Sequence, residues 1–311
     1  MKKLVAISVL CLFLGGITPA HARKDIQQLV SDETPTAFYA ALPVTAWVDH
    51  AVSGQEGKFG AIVIGTGFVV NNQGDFITAG HVASTTEVGS GTKKLKVFLT
   101  VGLRQQKAGI SGVPFKVIEL DSDHDLALCH IDGVEGMPFA KTGVPKIAHP
   151  EQPGGLTAEE MSEPFASLAI DQHTPHAGRF ILVSGFPLGS WTPAIQFGLL
   201  SATKTIYPNA PISRLPKDTS ELLQISVNAN HGNSGGPVID LQSGRVVGVI
   251  LSIVPAPQTI GGQQIWTDST FDMSGIMLAA PAKWVNVLLL RNGVKNEDIR
   301  EGKLFWGLKH H

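Results

Sequence analysis

Short apolar runs broken by Gly, Pro, Asn and Asp dominate the chain after residue 44, the pattern of an all-β protein. These runs predict a first set of strands at Val44–Val52, Ala61–Val70, Asp75–Ala79, Lys94–Val101, Phe115–Leu120 and Leu126–Ile131. A second set follows at Phe180–Ser184, Pro193–Thr203, Leu222–Val227, Pro237–Asp240, Arg245–Ser252 and Gly275–Ala280. Turn formers at Asn71-Asn72-Gln73-Gly74 and Gln242-Ser243-Gly244 predict two hairpins. Between the sets, Pro145, Pro150, Pro153, Pro164, Gly154-Gly155 and scattered charge predict a linker, with a short helix near Thr157–Ser162. Trp284, Val285, Leu288 and Leu289 recur at helical spacing and predict a closing amphipathic helix over Ala282–Asn292. A shorter amphipathic stretch, Lys24–Val30, precedes the first strand. Two sets of six strands fit two small β-barrels, one over residues 23–140 and one over 179–311, joined by a linker at 141–178.

The N-terminus reads as a segment removed on export. Lys2 and Lys3 precede an apolar run from Leu4 to Ile17, and Ala20-His21-Ala22 follows as a small-x-small site. Residues 1–22 thus have the layout of a secretory signal peptide cut after Ala22. The run holds 14 residues, short of the roughly 20 that span a bilayer. No stable membrane anchor is therefore expected after cleavage. Loss of Lys2 and Lys3 takes the formal charge from -2 to about -4, with no basic patch of the kind nucleic-acid binding needs. Of two cysteines, Cys11 and Cys129, the second alone remains, so no intrachain disulfide can form. Export without disulfides points to a bacterial periplasmic or secreted protein, whose size supplies a sufficient core.

Three segments carry chemistry. In His231-Gly232-Asn233-Ser234-Gly235-Gly236-Pro237, glycines flank one serine and let the backbone turn sharply. Such a turn can aim the amides of Gly232 and Ser234 at one point, as an oxyanion hole requires. A serine hydroxyl needs a base to take its proton and return it to the leaving group. Imidazole titrates near neutrality, and His81 sits just past a predicted strand in Ile77-Thr78-Ala79-Gly80-His81-Val82. A carboxylate then fixes the ring tautomer. Asp125 is preferred over Asp121 and Asp123 because Leu126, Ala127 and Leu128 follow it directly, placing it at the mouth of a strand. The order His, Asp, Ser is the chymotrypsin-type order. His124 and His231 read as structural or exposed, and Cys129 as a small buried hydrophobe. His173 and His176 lack a second ligand pair, so neither a metal nor a cofactor is expected.

Together these segments resemble the trypsin-like serine proteases, and within them the HtrA (Deg) branch. Gly65-Thr66-Gly67-Phe68-Val69-Val70 through the His81 segment is similar to the family's first hairpin and histidine loop. Asp125-Leu126-Ala127-Leu128 is similar to its aspartate motif. Gly185-Phe186-Pro187-Leu188-Gly189 with Gly198-Leu199-Leu200-Ser201-Ala202 resembles the opening hairpin of the second barrel, and Gly232–Pro237 the nucleophile loop. The resemblance implies two six-stranded β-barrels of chymotrypsin type with a C-terminal helix. It also implies peptide-bond hydrolysis in the cleft between the barrels, through an acyl-enzyme. Carried over, Ser234 is the nucleophile, His81 the general acid-base and Asp125 its orienting partner, while the Gly232 and Ser234 amides hold the oxyanion. HtrA proteins usually continue into PDZ domains; about 18 residues follow Gly293 here, so neither a PDZ domain nor its peptide-regulated allostery is expected. Asn233 precedes the nucleophile where digestive enzymes carry an aspartate that pairs with a newly cut N-terminus. A neutral amide cannot make that ion pair, so activation by N-terminal insertion is not expected.

The same resemblance places Asn228 near the pocket floor and the strand carrying Ile250, Leu251, Ser252 and Ile253 in one wall. Asn228 lacks the charge that would select Arg or Lys, and Ile250 stands where glutamate-specific relatives carry histidine. Cleavage after small or medium uncharged residues of protein or peptide substrates is expected. Two other readings fit the sequence. One is a catalytically inactive protein that holds peptides on the same fold. The other is an exported ester hydrolase, its cleft narrowed by the loop Pro255–Ser274.

Overall fold

The computed structural model describes residues 26–49, 59–71, 73–90, 93–105, 109–131, 167–204, 216–217, 219, 221–228, 230–255, 257–260, 263–266 and 273–296. The export segment, the expected helix near Thr157–Ser162 and the C-terminal His310 and His311 lie outside the described residues. Helix α1 (Ile26–Ala40) leads directly into β1 (Ala41–Asp49). It runs well past the expected Lys24–Val30, although Pro35 cannot donate to the helix ladder. Ala37 and Ala40 are fully buried in the core, and that tertiary burial carries the helix beyond its weakest residue.

The first barrel uses β1, β2 (Phe59–Val69), β3 (Asp75–Ala79), β5 (Lys93–Gln105), β6 (Gly109–Asp121) and β7 (Leu126–Ile131), with a one-turn helix α2 (Gly80–Ala83) after β3. The order is β1-β2-β3-β7-β6-β5, and β5 returns to pair with β1, closing the sheet. A short strand β4 (Glu87–Ser90), not foreseen in the sequence, pairs with β5. The Asn71 turn forms as expected: its side-chain oxygen accepts the amides of Gln73 and Asp75 at 3.0 and 3.1 Å. The second barrel closes in the order β10-β15-β12-β11-β8-β9. Its strands are β8 (Phe180–Gly185), β9 (Ala194–Thr203), β10 (Leu223–Ser226), β11 (Pro237–Asp240), β12 (Val246–Pro255) and β15 (Met273–Pro281). The expected long loop after β12 contains a hairpin of its own, β13 (Pro257–Ile260) paired with β14 (Gln263–Trp266). Helix α3 (Ala282–Arg291) is the last element of the described residues.

The near-continuous apolar runs of β8 and β11 follow from burial on both faces of those strands. Ile181 and Val183 of β8 point into the barrel interior, whereas Leu182 joins the cluster shared with the first barrel. The same alternation sends Val238 inward and Ile239 outward on β11, and Met277 and Ala279 inward with Leu278 and Ala280 outward on β15. The outward set packs with Phe68, Phe76, Ile77 and Leu126 of the first barrel and with Val285, Leu288 and Leu289 of α3. One apolar seam therefore joins the barrels. The end of the linker is stitched into it: the Leu168 amide donates to the Val69 carbonyl at 3.0 Å, and Ile170 bridges to Val246. Asn296 completes the join, donating to the Val70 and Leu168 carbonyls at 2.7 and 2.9 Å. Among the described residues no helix is long and apolar enough to cross a membrane.

Leu288 of α3 is 0 % exposed and Leu290 is 79 % exposed. Leu288→Ala is expected to destabilise the fold by about 2–5 kcal/mol, and Leu290→Ala by less than about 0.5 kcal/mol. Urea denaturation of both variants checks this, and equal losses would contradict the packing of α3 described above.

Candidate active site

Strand β3 ends at Ala79 and hands the chain to α2, which carries His81 on its first turn. Asp125 lies immediately before β7, in a left-handed backbone conformation (φ 54°), which aspartate tolerates better than most side chains. Since β3 pairs with β7 through Ala79 and Leu126, the two residues arrive side by side. The Asp125 carboxylate then grips His81 twice. One oxygen accepts the His81 backbone amide at 2.7 Å, and the other accepts ring Nδ1–H at 2.7 Å. The Gly80 amide adds a third bond, to the Asp125 carbonyl at 2.8 Å. With Nδ1–H donated, Nε2 keeps its lone pair and is the basic nitrogen of the ring.

The neighbouring acids have other partners. Asp121 receives the amides of Asp123 and His124 and the His124 ring at 2.9 Å. Burial opposes its ionisation, but the hydrogen bond and charge of His124, with the two amides, outweigh burial and hold its pKa below the usual carboxylate value. His124 stacks on Trp284 of α3, ring centroids 3.8 Å apart, and Arg291 reaches Glu119 at 2.8 Å and Asp121 at 3.4 Å. The C-terminal helix thus clamps the loop that presents Asp125. Asp123 pairs with Lys217 at 3.3 Å on the surface.

Ser234 sits between the barrels. Its carbonyl accepts the Thr66 amide of β2 at 2.8 Å, and its hydroxyl donates to the Leu251 carbonyl of β12 at 3.2 Å. The next residue, Gly235 (φ +85°), lies so close to the first barrel that a β-carbon there would stand 2.1 Å from the Thr66 oxygen and 2.7 Å from the Ala79 nitrogen. That contact sets the serine loop against the end of β3, two residues before His81. The peptides leading to Ser234 are each held by their carbonyls. The His231 oxygen accepts the Leu188 amide at 2.6 Å, and the Gly232 oxygen accepts the Thr66 hydroxyl at 2.6 Å. The Asn233 oxygen accepts the Gly236 amide at 2.9 Å. In a trans peptide the N–H points opposite its carbonyl, so these bonds fix the directions of the Gly232 and Ser234 amides. Gly232 has φ +97°, and a β-carbon there would stand 2.1 Å from the Phe186 oxygen. Asn233 is buried and donates its side-chain amide to Gln196 at 3.3 Å.

The candidate pocket residues divide by burial. Ile250 is buried in the interior of the second barrel and Leu251 in the seam. Both present backbone alone: the Ile250 carbonyl accepts the Gly235 amide at 2.6 Å, and the Leu251 carbonyl accepts the Ser234 hydroxyl. Ser252 and Ile253 are partly exposed and Asn228 is exposed, so these three can meet a ligand with their side chains. Elsewhere, His231 is exposed and Cys129 is buried, with its thiol pKa raised by that burial. His173 is exposed, 3.8 Å from Asp171. Among the described residues no group of three or more His, Cys, Asp or Glu is placed to hold a metal. The sequence reading missed Thr66, Leu188 and Gln196, whose partners on the serine loop are far away along the chain.

Two closed six-stranded barrels, a hydrogen-bonded His–Asp pair from the first and a glycine-flanked serine from the second define a protein of chymotrypsin-like fold. The trypsin-like peptidase domain family matches residues 65–249, well over half the chain. The chain belongs to that family. It is 24% identical over 197 residues to a probable periplasmic serine endoprotease DegP-like of Rickettsia prowazekii, covering 62% of this chain and 29% of that protein. The protein of the same description from Pseudomonas savastanoi is 27% identical over 187 residues, covering 60% and 28%. The chain thus spans under a third of the length of these relatives. Among solved structures, the HtrA-type protease AlgW with decapeptide superposes with a TM-score of 0.54 at 18% identity, covering 85% of this chain and 68% of that one.

Two outcomes follow from this geometry. Gly235→Ala is expected to destabilise the protein by about 1–3 kcal/mol through overpacking, measured by urea denaturation; a variant as stable as the parent would contradict the close approach. The depressed Asp121 pKa stabilises the fold fully above about pH 4, and this contribution is lost as the pH falls through the lowered native value. From about pH 5 to pH 2 the parent should therefore lose more stability than Asp121→Asn. Parallel acid unfolding curves for the two would contradict it.

Proposed function

We propose that this chain is an exported serine endopeptidase. The reading rests on the His81–Asp125 pair, bonded at 2.7 Å, with the Ser234 loop seated against the strand that leads to His81. Family membership supports it. In this reading residues 1–22 direct export, and domains 23–140 and 179–311 flank a linker at 141–178. Relatives named as periplasmic endoproteases favour the periplasm or the exterior. A protein or peptide substrate lies along the partly exposed part of β12, as an extended strand pairing through its backbone. For this chemistry the Ser234 hydroxyl leaves the Leu251 carbonyl, by rotation about χ1, and donates to His81 Nε2. The oxygen attacks the substrate carbonyl while Nε2 takes the proton. Asp125 stabilises the resulting imidazolium, and the Gly232 and Ser234 amides receive the oxyanion. His81 then protonates the leaving amine, and water repeats the sequence to release the acyl group. Ser252, Ile253 and Asn228 carry no charge, which favours cleavage after small or medium uncharged residues.

The bond from the Ser234 hydroxyl to Leu251 favours a second reading, a protein that holds peptides without cutting them. Incubating the protein from Arg23 with casein and mapping the products by mass spectrometry separates the two. Ser234→Ala and His81→Ala are each expected to lower turnover at least about 10³-fold, without prior cleavage at a new N-terminus. Casein left intact, together with a Ser234 that a fluorophosphonate does not label, would establish the binding protein instead. Products dominated by cuts after Arg, Lys or Glu would overturn the assigned specificity.

A further inference from the structure

Thr66 is fully buried at the seam of the two barrels, and every polar atom it carries is engaged. Its amide donates to the Ser234 carbonyl at 2.8 Å. Its own carbonyl accepts the buried Thr78 hydroxyl at 2.7 Å. Its hydroxyl donates to the Gly232 carbonyl at 2.6 Å and accepts the Phe186 amide at 3.1 Å. The last two bonds join three segments distant in sequence: β2, the loop after β8 and the serine loop. A hydroxyl suits this position because it is donor and acceptor at one atom.

From these contacts we propose that the Thr66 side chain is a positioning residue for the oxyanion site, holding the serine loop in its working form. The proposal rests on the endopeptidase reading above. The Gly232–Asn233 peptide lies between the two peptides whose amides face the oxyanion. Rotation of that central peptide would turn both neighbours. Its carbonyl would then leave the Thr66 hydroxyl, and its amide the Asn230 oxygen that it meets at 3.4 Å. The second of these bonds is long, so the first is the firm hold. Loss of the hydroxyl would also leave the Phe186 amide and Gly232 carbonyl unpaired in a dry interior, a state that favours rearrangement of the loop. The Thr66 methyl, by contrast, is ordinary packing: it lies 3.5 Å from where a β-carbon on Gly236 would stand. The hydroxyl and the methyl are therefore separable by substitution.

The test compares Thr66→Val, which keeps the shape and removes the hydroxyl, with Thr66→Ser, which keeps the hydroxyl and removes the methyl. On a peptide substrate, Thr66→Val is expected to lower kcat roughly 10²-fold, the scale of losing one oxyanion donor, with KM changed less than about threefold. Thr66→Ser should restore kcat to within about fivefold of the parent. Hydrogen exchange gives a second readout independent of turnover. In Thr66→Val, amides of segments 185–190 and 230–236 should exchange at least about tenfold faster, with β5 and β6 unchanged. Full kcat in Thr66→Val, or an equal loss in Thr66→Ser, would overturn the proposal, as would exchange that rises evenly over both barrels. A parent that neither cuts casein nor takes up a fluorophosphonate would defeat the endopeptidase reading. In that case the exchange pattern alone decides whether Thr66 holds the loop.

Discussion

The backbone contact between Gly235 and the end of β3 governs the arrangement of this molecule. The serine loop belongs to one barrel and the histidine turn to the other, so only contacts across the seam fix their separation. A backbone seated on backbone has no flexible side chain to give way, and a close-packed interior leaves it little room to shift. The Thr66 amide on the Ser234 carbonyl and the Gly235 amide on the Ile250 carbonyl, at 2.8 and 2.6 Å, pin the loop from both sides. Residues of β2 and β12 therefore determine where Ser234 stands, although neither strand carries Ser234, His81 or Asp125.

That contact holds because the rest of the seam is apolar and continuous. Strands β8, β11, β12 and β15 each send alternate side chains into their own barrel and against its partner. One apolar cluster therefore spans both barrels. Helix α3 extends the same logic to the acid. Val285, Leu288 and Leu289 anchor it in the seam, while Trp284 and Arg291 hold the end of β6 and the turn to Asp125 through His124, Glu119 and Asp121. A helix at the end of the second barrel thereby steadies a carboxylate of the first.

The resting position of the Ser234 hydroxyl, on the Leu251 carbonyl, sits naturally beside this rigidity. Rotation of one side chain about one bond is a small change in a frame whose backbone is fixed. In the endopeptidase reading proposed above, that one rotation is all the serine needs in order to turn from β12 toward His81. The same carbonyl belongs to β12, the strand along which the proposed endopeptidase reading lays its substrate.

Much of this was legible in the sequence, for reasons that can be located. Strand positions follow from alternation and from turn formers, so β3, β7, β8, β11 and the Asn71 hairpin lie where the residues place them. The glycine-flanked Ser234, His81 at a strand end and Asp125 before an apolar run are local signals. The length of α1 was not legible, because Pro35 argues locally against it and the burial of Ala37 and Ala40 exists only in the folded chain. Nor were the separate fates of Ile250 and Ile253, which depend on which way a bulged strand faces. Thr66 stood in view within a glycine hairpin, but its partner Gly232 is 166 residues away. Sequence by itself determined which residues could do chemistry and which elements carry them, since periodicity and turn propensity are short-range. Tertiary structure alone decided what holds those residues in place, because hydrogen bonds across a seam join positions that no local pattern connects.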